Sequence, residues 1–206
     1  MADPRSNGSD LRRAILDRTR LMLVEVGYNN LSMRKIARSV GCSATSIYLH
    51  FENKDALLHA LIDEGMMQLN ASLQKIADSH PDPAERLEAM SRGYVHFGLD
   101  HPEYYEVMFM LHPERMARYP AEKYRRARRN LELFAEALGA GAETDQFDVA
   151  DPAMAASVLW AGLHGAVALL LAQRVDVRFE RDAIAEAVVR HAIAGFCFQA
   201  DPAPHG

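Results

Sequence analysis

Cysteine is nearly missing from this chain: Cys42 and Cys197 are the only two in 206 residues. Two thiols cannot build a disulfide framework, and without a CxxC pair no thiol-based metal or redox centre is expected. The first ten residues (MADPRSNGSD) contain no apolar core, so no signal peptide is expected. Long apolar runs are also scarce. The longest, Ala153 to Ala172, is interrupted by Ser157 and His164 and rich in Ala and Gly, so it reads as a buried helix rather than a membrane span. Nine histidines are present, but none stands in an HExxH or in a His/carboxylate pair at ligand spacing, so no metal and no cofactor are expected. Alternating strand patterns of five or more residues, internal repeats and low-complexity tracts are missing too. Together these absences leave a soluble, cytoplasmic protein with no membrane partner as the expectation.

The composition that remains is ordinary for a folded chain, with 49% hydrophobic and 25% charged residues and a net charge of −5. That average hides an asymmetry. Residues 1–60 carry nine Lys/Arg against six Asp/Glu, while residues 61–206 carry fourteen against twenty-two. A basic quarter on an acidic remainder points to two parts facing different partners.

Helical periodicity runs almost throughout, and the expected fold is all-α with about nine helices. Leu11, Ile15, Met22 and Val26 trace one face of a first helix that Gly27 closes. Ser32 caps a second helix stopped by Gly41, Ser43 caps a third of about two turns, and Asn53 caps a fourth that runs towards Ala77. Pro83, Pro102, Pro113 and Pro152 each suit a first helical position, with Asp82 and Asp151 as caps before two of them. Pro120 is expected to open a helix through Leu138 that Gly139 and Gly141 close, leaving residues 139–148 as the mobile loop. Two last helices are expected over about Pro152–Gln173 and Arg181–Phe198. The domain expectation is a disordered tail over 1–9, a three-helix domain over 10–56, a larger helical domain over 57–200 and a tail over 201–206.

Residues 32–51, SMRKIARSVGCSATSIYLHF, carry the chemistry. Two short helices joined by a tight turn at Val40-Gly41-Cys42 have the layout of a helix-turn-helix. Ile36, Ala37, Val40, Cys42 and Ile47 hold the two helices together. Ser43, Ala44, Thr45 and Ser46 are small enough to enter a major groove, and Arg34, Lys35, Tyr48, His50 and Lys54 flank that tip with phosphate-seeking groups. Cys42 at the turn reads as a small packing residue rather than a redox sensor.

Around this motif the sequence resembles the TetR family of bacterial transcriptional regulators. The resemblance covers Ile15 to about Leu61 and rests on Gly27-Tyr28, Ile36-Ala37, Gly41-Cys42-Ser43, Tyr48-x-His50-Phe51 and Lys54-Asp55-x-Leu57. It implies a homodimer with an N-terminal DNA-reading domain and a divergent C-terminal ligand-binding domain. Position by position, it implies DNA contacts at Ser32, Met33, Arg34, Ser43, Ala44, Thr45, Ser46, Tyr48, His50 and Lys54, the last as a phosphate ligand. Further along, YVHFGLDHPEYYEVMFM and LWAGLHGAVALLL resemble the C-terminal domain of TetR type named for its Trp-His-Gly signature, here Trp160, His164 and Gly165.

The second half offers a mostly apolar pocket. His164 lies mid-helix as a polar anchor, and Tyr94, Phe97, Tyr105, Met108, Phe109 and Trp160 supply walls for an apolar or aromatic small-molecule effector. Each of these also suits an ordinary core, His164 included. The last two helices are long, amphipathic and rich in small residues, and two from each of two chains would form a four-helix dimer interface. The basic run Lys123, Arg125, Arg126, Arg128 and Arg129 wraps widely around its helix and reads as a solvated face. The expected function is a ligand-responsive repressor that binds a palindromic double-stranded operator as a dimer. Two alternatives stand beside it: an all-α enzyme, against which the lack of a nucleophile motif, phosphate loop or paired carboxylates argues, and a ligand-free architectural DNA-binding protein.

Overall fold

A computed structural model describes residues 4–110 and 121–197. Among the described residues every regular element is helical. The order is α1 Pro4–Asn30, α2 Met33–Val40, α3 Ala44–Tyr48, α4 Lys54–Ser79, α5 Pro83–Asp100, α6 Pro102–Tyr105, a π-helical turn Glu106–Met110, α7 Ala121–Glu143, α8 Pro152–Leu171 and α9 Arg181–Ala194. The all-α expectation holds. Helix α1 starts at Pro4, so residues 4–9, expected within a disordered tail, form its first turns. The tail over 201–206 and the expected start at Pro113 lie outside the described residues.

Local signals placed most helix ends well. Gly27 has φ 72° and ψ 165°, and breaks the helical path of α1 where a side chain would strain it. Ser32 Oγ accepts from the Lys35 backbone N–H, and Gly41 sits left-handed at φ 79° to end α2. Asn53 Oδ1 accepts from the Ala56 N–H at 2.8 Å to start α4. Asp82 accepts from the Glu85 N–H at 2.9 Å, and Asp151 from those of Ala153 and Met154, ahead of Pro83 and Pro152 at their first helical positions.

The chain forms two compact units, and they do not follow the contiguous division expected from the sequence. One combines the chain up to Met67 with the segment beginning at His101; the other combines Gln68–Asp100 with the chain from Arg125 onward. The first unit is cored by Ile15, Leu16, Leu23, Leu31, Ile36, Ile47, Phe51, Leu57, Leu58 and Leu61, with Cys42 half-buried against them. Segment 101–110 joins it through charge and packing. Arg20 donates to Glu103 at 2.6 Å, its guanidinium lies 4.5 Å from the Tyr104 ring centre, and the Tyr104 hydroxyl donates to Glu64 at 2.8 Å. Met108 rests directly on the Cβ-free surface of Gly65.

In the second unit α5, α8 and α9 pack together, and Arg92 of α5 pairs with Glu186 of α9 at 2.9 Å. The expected end of α7 is corrected here: the helix runs on through Gly139 and Gly141 to Glu143. Gly141 is small because Phe147 packs onto it, and a Cβ there would overlap the ring. The loop that follows is anchored rather than loose. Phe147 is 2% exposed, Gln146 donates to Asp82 at 2.8 Å and accepts from the Ala84 N–H at 3.0 Å, and the Asp148 N–H reaches the Phe196 carbonyl at 2.8 Å. Helix α8 is long and apolar enough to cross a membrane by length and composition alone. It buries one face, from Ala155 through Leu159 and Leu163 to Leu170, within the unit.

Candidate nucleic-acid interface and ligand-side residues

The short helix α3 is held by two local devices. Ile47 is fully buried, which fixes the side that faces the core. Ser43 Oγ accepts from the Ser46 N–H at 2.9 Å and shares a 2.8 Å hydrogen bond with the Ser46 hydroxyl, capping the helix start. A five-residue helix is not stable alone, so this burial and this cap together hold it in place. Ala44, Thr45 and Tyr48 are consequently exposed, Tyr48 by 52%. At the start of α2, Ser32 and Arg34 are exposed as well, and His50 is half-exposed just past α3. The result is a small, exposed polar tip that carries an aromatic and a guanidinium.

Two expected members behave differently. Met33 is 6% exposed and packs into the core of its unit, so its side chain faces inward rather than toward a ligand. The cause is amphipathicity: in an eight-residue helix Met33, Ile36 and Ala37 share the buried face. The Lys54 ammonium turns back into the chain. It lies 3.7 Å from the Tyr28 ring centre and donates to the carbonyls of Tyr28 and Leu31 at 3.2 and 3.4 Å. The Tyr28 hydroxyl in turn donates to Asp55 at 3.2 Å, and burial with the nearby Asp55 charge pushes that hydroxyl above its usual range.

Sequence reasoning passed over two further exposed groups on this surface. Leu49 is 80% exposed at the end of α3, and Arg38 is exposed in the last turn of α2. Leu49 sits between Tyr48 and His50, so an apolar residue flanked by two contact candidates was the available signal.

The ligand-side residues fall into both units. Tyr94, Phe97, Trp160 and His164 belong to the second, and Tyr105, Met108 and Phe109 to the first. In the second unit the Trp160 indole N–H donates to the buried Tyr94 hydroxyl at 3.0 Å. The Trp160 and His164 rings stack with centroids 5.1 Å apart and planes at 21°, as four-residue spacing on a helix allows. Burial pulls the His164 imidazole below its ordinary range, so it is a neutral donor–acceptor at neutral pH. In the first unit Tyr105 is fully buried with Phe109 beside it, ring centres 4.9 Å apart. Arg128 and Arg129 are exposed, in keeping with a solvated face for their part of the basic run; the side chains of 123–127 lie outside the described residues. No group of three or more His, Cys, Asp and Glu among the described residues is placed to hold a metal ion.

Comparison with known proteins places both halves. Residues 15–61 match the family model described as bacterial regulatory proteins, tetR family, and residues 87–192 match that described as tetracyclin repressor-like, C-terminal domain. An uncharacterised HTH-type transcriptional regulator of Haemophilus influenzae is 31% identical over 94 residues, 46% of this chain and 50% of that protein. The chain thus spans about half the length of that relative. The HTH-type transcriptional repressor KstR2 of Mycobacterium tuberculosis is 25% identical over 138 residues, 66% of this chain and 68% of its own. Among solved structures, AibR in complex with isovaleryl coenzyme A and operator DNA superposes with a TM-score of 0.71 at 22% identity, covering 88% of this chain and 97% of that one.

Proposed function

The chain belongs to the TetR family of bacterial regulatory proteins, and from that premise we propose that it is a ligand-responsive transcriptional repressor acting on a palindromic operator in the cytoplasm. One observation carries the reading: α3 turns Ile47 fully inward and presents Ala44, Thr45 and Tyr48 outward. Ser32, Arg34, Ser43, Ser46 and His50 complete the DNA-facing set, with Leu49 added as an apolar contact to a sugar or thymine methyl.

A recognition helix this short reads only a few base pairs, so two copies are needed for a specific site. Helix α8 supports a homodimer. Met154, Val158 and Leu169 are exposed along one stripe, and a Cβ at Gly162 or Gly165 between them would meet nothing within 4 Å. The glycines at 65, 93 and 141 are each filled by a side chain of this chain, from Met108, Ile76 and Phe147, whereas the α8 pair stands open. A second copy of α8 and α9 supplies the missing side chains in the four-helix arrangement expected.

The stacked Trp160–His164 pair, bonded to Tyr94 and followed by Gly165, supports a C-terminal domain of the Trp-His-Gly type and a small, mostly apolar or aromatic effector. That AibR carries an acyl thioester and an operator on the same fold also supports a small-molecule response. For the effector to act, it must bind one arrangement of the dimer better than the other. Helix α4, which starts at Lys54 and ends at Ser79, is the element through which we route that difference.

The test is selection of bound duplexes from a random pool, followed by titration of the enriched duplex at several salt concentrations. Enrichment of a palindrome, with binding lost in Tyr48→Ala and Arg34→Ala, is the expected result. A chain that enriches no sequence is not a specific regulator. A thermal-shift screen then separates the effector classes: stabilisation by apolar or aromatic compounds is expected, and stabilisation by highly charged metabolites alone overturns that part.

A further inference from the structure

Asn70 stands inside α4, where nothing in the local chain calls for an amide. The residue before it and the residue one turn on, Leu69 and Leu73, are 1% and 0% exposed. Asparagine is a poor choice for a helix interior, because its side chain competes with the backbone for hydrogen bonds. An asparagine open to water would recover part of that cost. Asn70 is half-buried, and its Nδ2 has no contact with solvent and meets no acceptor among the described residues.

Other polar side chains show that this arrangement is not forced by a helix. Thr19 and Ser91, both fully buried, donate to the carbonyls four residues back, Ile15 and Leu87, at 2.7 Å. Asn30 sets its own amide on the Val26 carbonyl at 3.0 Å in the same way. Asn70 does neither. A buried donor without a partner loses its hydration and gains nothing for it, so an apolar side chain of similar size would suit α4 better. A residue that local preference and burial both oppose is the mark of a functional position.

Helical register tells what Asn70 faces. Only residues 80–82 separate α4 from α5, so the two helices run antiparallel. Leu73 and Ile76 of α4 both meet Gly93 of α5. One turn back along α4 from Leu73 is therefore one turn forward along α5 from Gly93, which sets Asn70 level with Phe97. Helix α5 also carries Tyr94 and packs against α8, where Trp160 donates to the Tyr94 hydroxyl and stacks on His164. All these residues, Asn70 included, belong to the second unit. Asn70 thus adds a hydrogen-bond donor, from a third helix, to the ligand-side residues.

We propose that Asn70 is a specificity-determining residue for the effector: its amide N–H donates to a hydrogen-bond acceptor, such as a carbonyl oxygen, on an otherwise apolar or aromatic molecule. The proposal rests on the effector reading above and narrows it to apolar compounds that carry an acceptor. It also puts the contact on α4, so the bound molecule holds the element through which the response is routed.

The test uses the full-length chain and alkyl phenyl ketones from acetophenone to hexanophenone, each set against the alkylbenzene with the same number of carbons. Binding is measured by calorimetric titration and by thermal shift. The wild type is expected to bind the ketone of the best-fitting pair about tenfold tighter than its hydrocarbon, the effect of one hydrogen bond to a donor that folding has already desolvated. Asn70→Leu is expected to lose that preference while still binding the hydrocarbon. It should also raise the thermal midpoint of the unliganded protein by about 2–4 °C, because the unpaired donor is gone. An asparagine with a purely structural task would do the opposite, giving a lower midpoint with the ketone preference intact.

Equal binding of ketone and hydrocarbon by the wild type overturns the proposal, and so does a ketone preference that survives in Asn70→Leu. If the branched side chain does not fit and that variant melts early, Asn70→Ala decides by the same preference. Binding of no ketone and no hydrocarbon is a different result, because it removes the apolar-effector reading itself and this proposal with it.

Discussion

Gly41 and His164 show how much a single residue decides in this protein. Gly41 adopts φ 79°, a region that costs an L-residue about 1 kcal/mol or more, although a Cβ there would meet no atom within 4 Å. Gly41→Ala is therefore expected to lower stability by about 1 kcal/mol in urea unfolding through backbone strain alone. The His164 prediction follows from its burial. With the folded-state pKa below the unfolded value, the unfolded chain binds the extra proton first as pH falls through the ordinary histidine range. Stability is then full above about pH 6.5 and declines below it. Thermal midpoints measured from pH 7.5 to pH 5.5 should fall more for the wild type than for His164→Gln. A variant with the same slope as the wild type would remove His164 as the cause. Both residues stood out in the sequence because their signals, a glycine between two helices and a histidine in an apolar run, are local.

At the scale of elements, most helix starts were legible, that of α1 at Pro4 excepted, and some of the ends were not. Caps at Ser32, Ser43, Asn53, Asp82 and Asp151 depend on hydrogen bonds within three residues, so the sequence contains both partners. Ser43→Ala should cost about 1 kcal/mol. Because it loosens the five-residue α3, it should also weaken binding of the selected duplex, measured by the same titration. The end of α7 was misread for the opposite reason. Gly139 and Gly141 resemble terminators when read along the chain, but Gly141 serves Phe147, which reaches it across a turn through backbone bonds to the Gly141 carbonyl. Gly141→Ala is expected to destabilise the fold by about 1–3 kcal/mol through overpacking, because the added Cβ would overlap the buried Phe147 ring. Denaturant midpoints check this, and an unchanged midpoint would show that the ring can yield.

For the whole molecule, the uneven charge and the open stripe of α8 point to the same division of labour. The first sixty residues carry the basic excess and the exposed tip proposed to meet DNA, while α8 carries the exposed Met154, Val158 and Leu169 proposed to meet a second copy. Val158→Glu places a charge in that stripe without disturbing the buried face of α8. It is expected to give a species of 23.0 kDa by light scattering at micromolar concentration. It should also weaken operator binding by about 100-fold, since the second half-site then binds as a separate event. A variant that remains dimeric would move the interface elsewhere. Most of the candidate DNA contacts expected from the sequence lie at exposed positions, because a helix-turn-helix is compact in sequence. Met33 and Lys54 were the exceptions, since the direction of one depends on which face of α2 meets the core and that of the other on the Tyr28 ring and carbonyls it meets.

The sequence by itself determined the helical class, the caps and the family, because periodicity, capping and the helix-turn-helix pattern are encoded over a few residues. Tertiary structure alone decided which residues share a neighbourhood. It joined the segment beginning at His101 to the first unit through Arg20, Glu64 and Gly65, anchored Phe147 on Gly141, and folded the Lys54 charge onto Tyr28. Phe147 and Gly141 are joined across one turn, but the other pairings link residues far apart in the chain, where no local hydrogen bond or periodicity connects the partners. Only the packed chain brings them within reach.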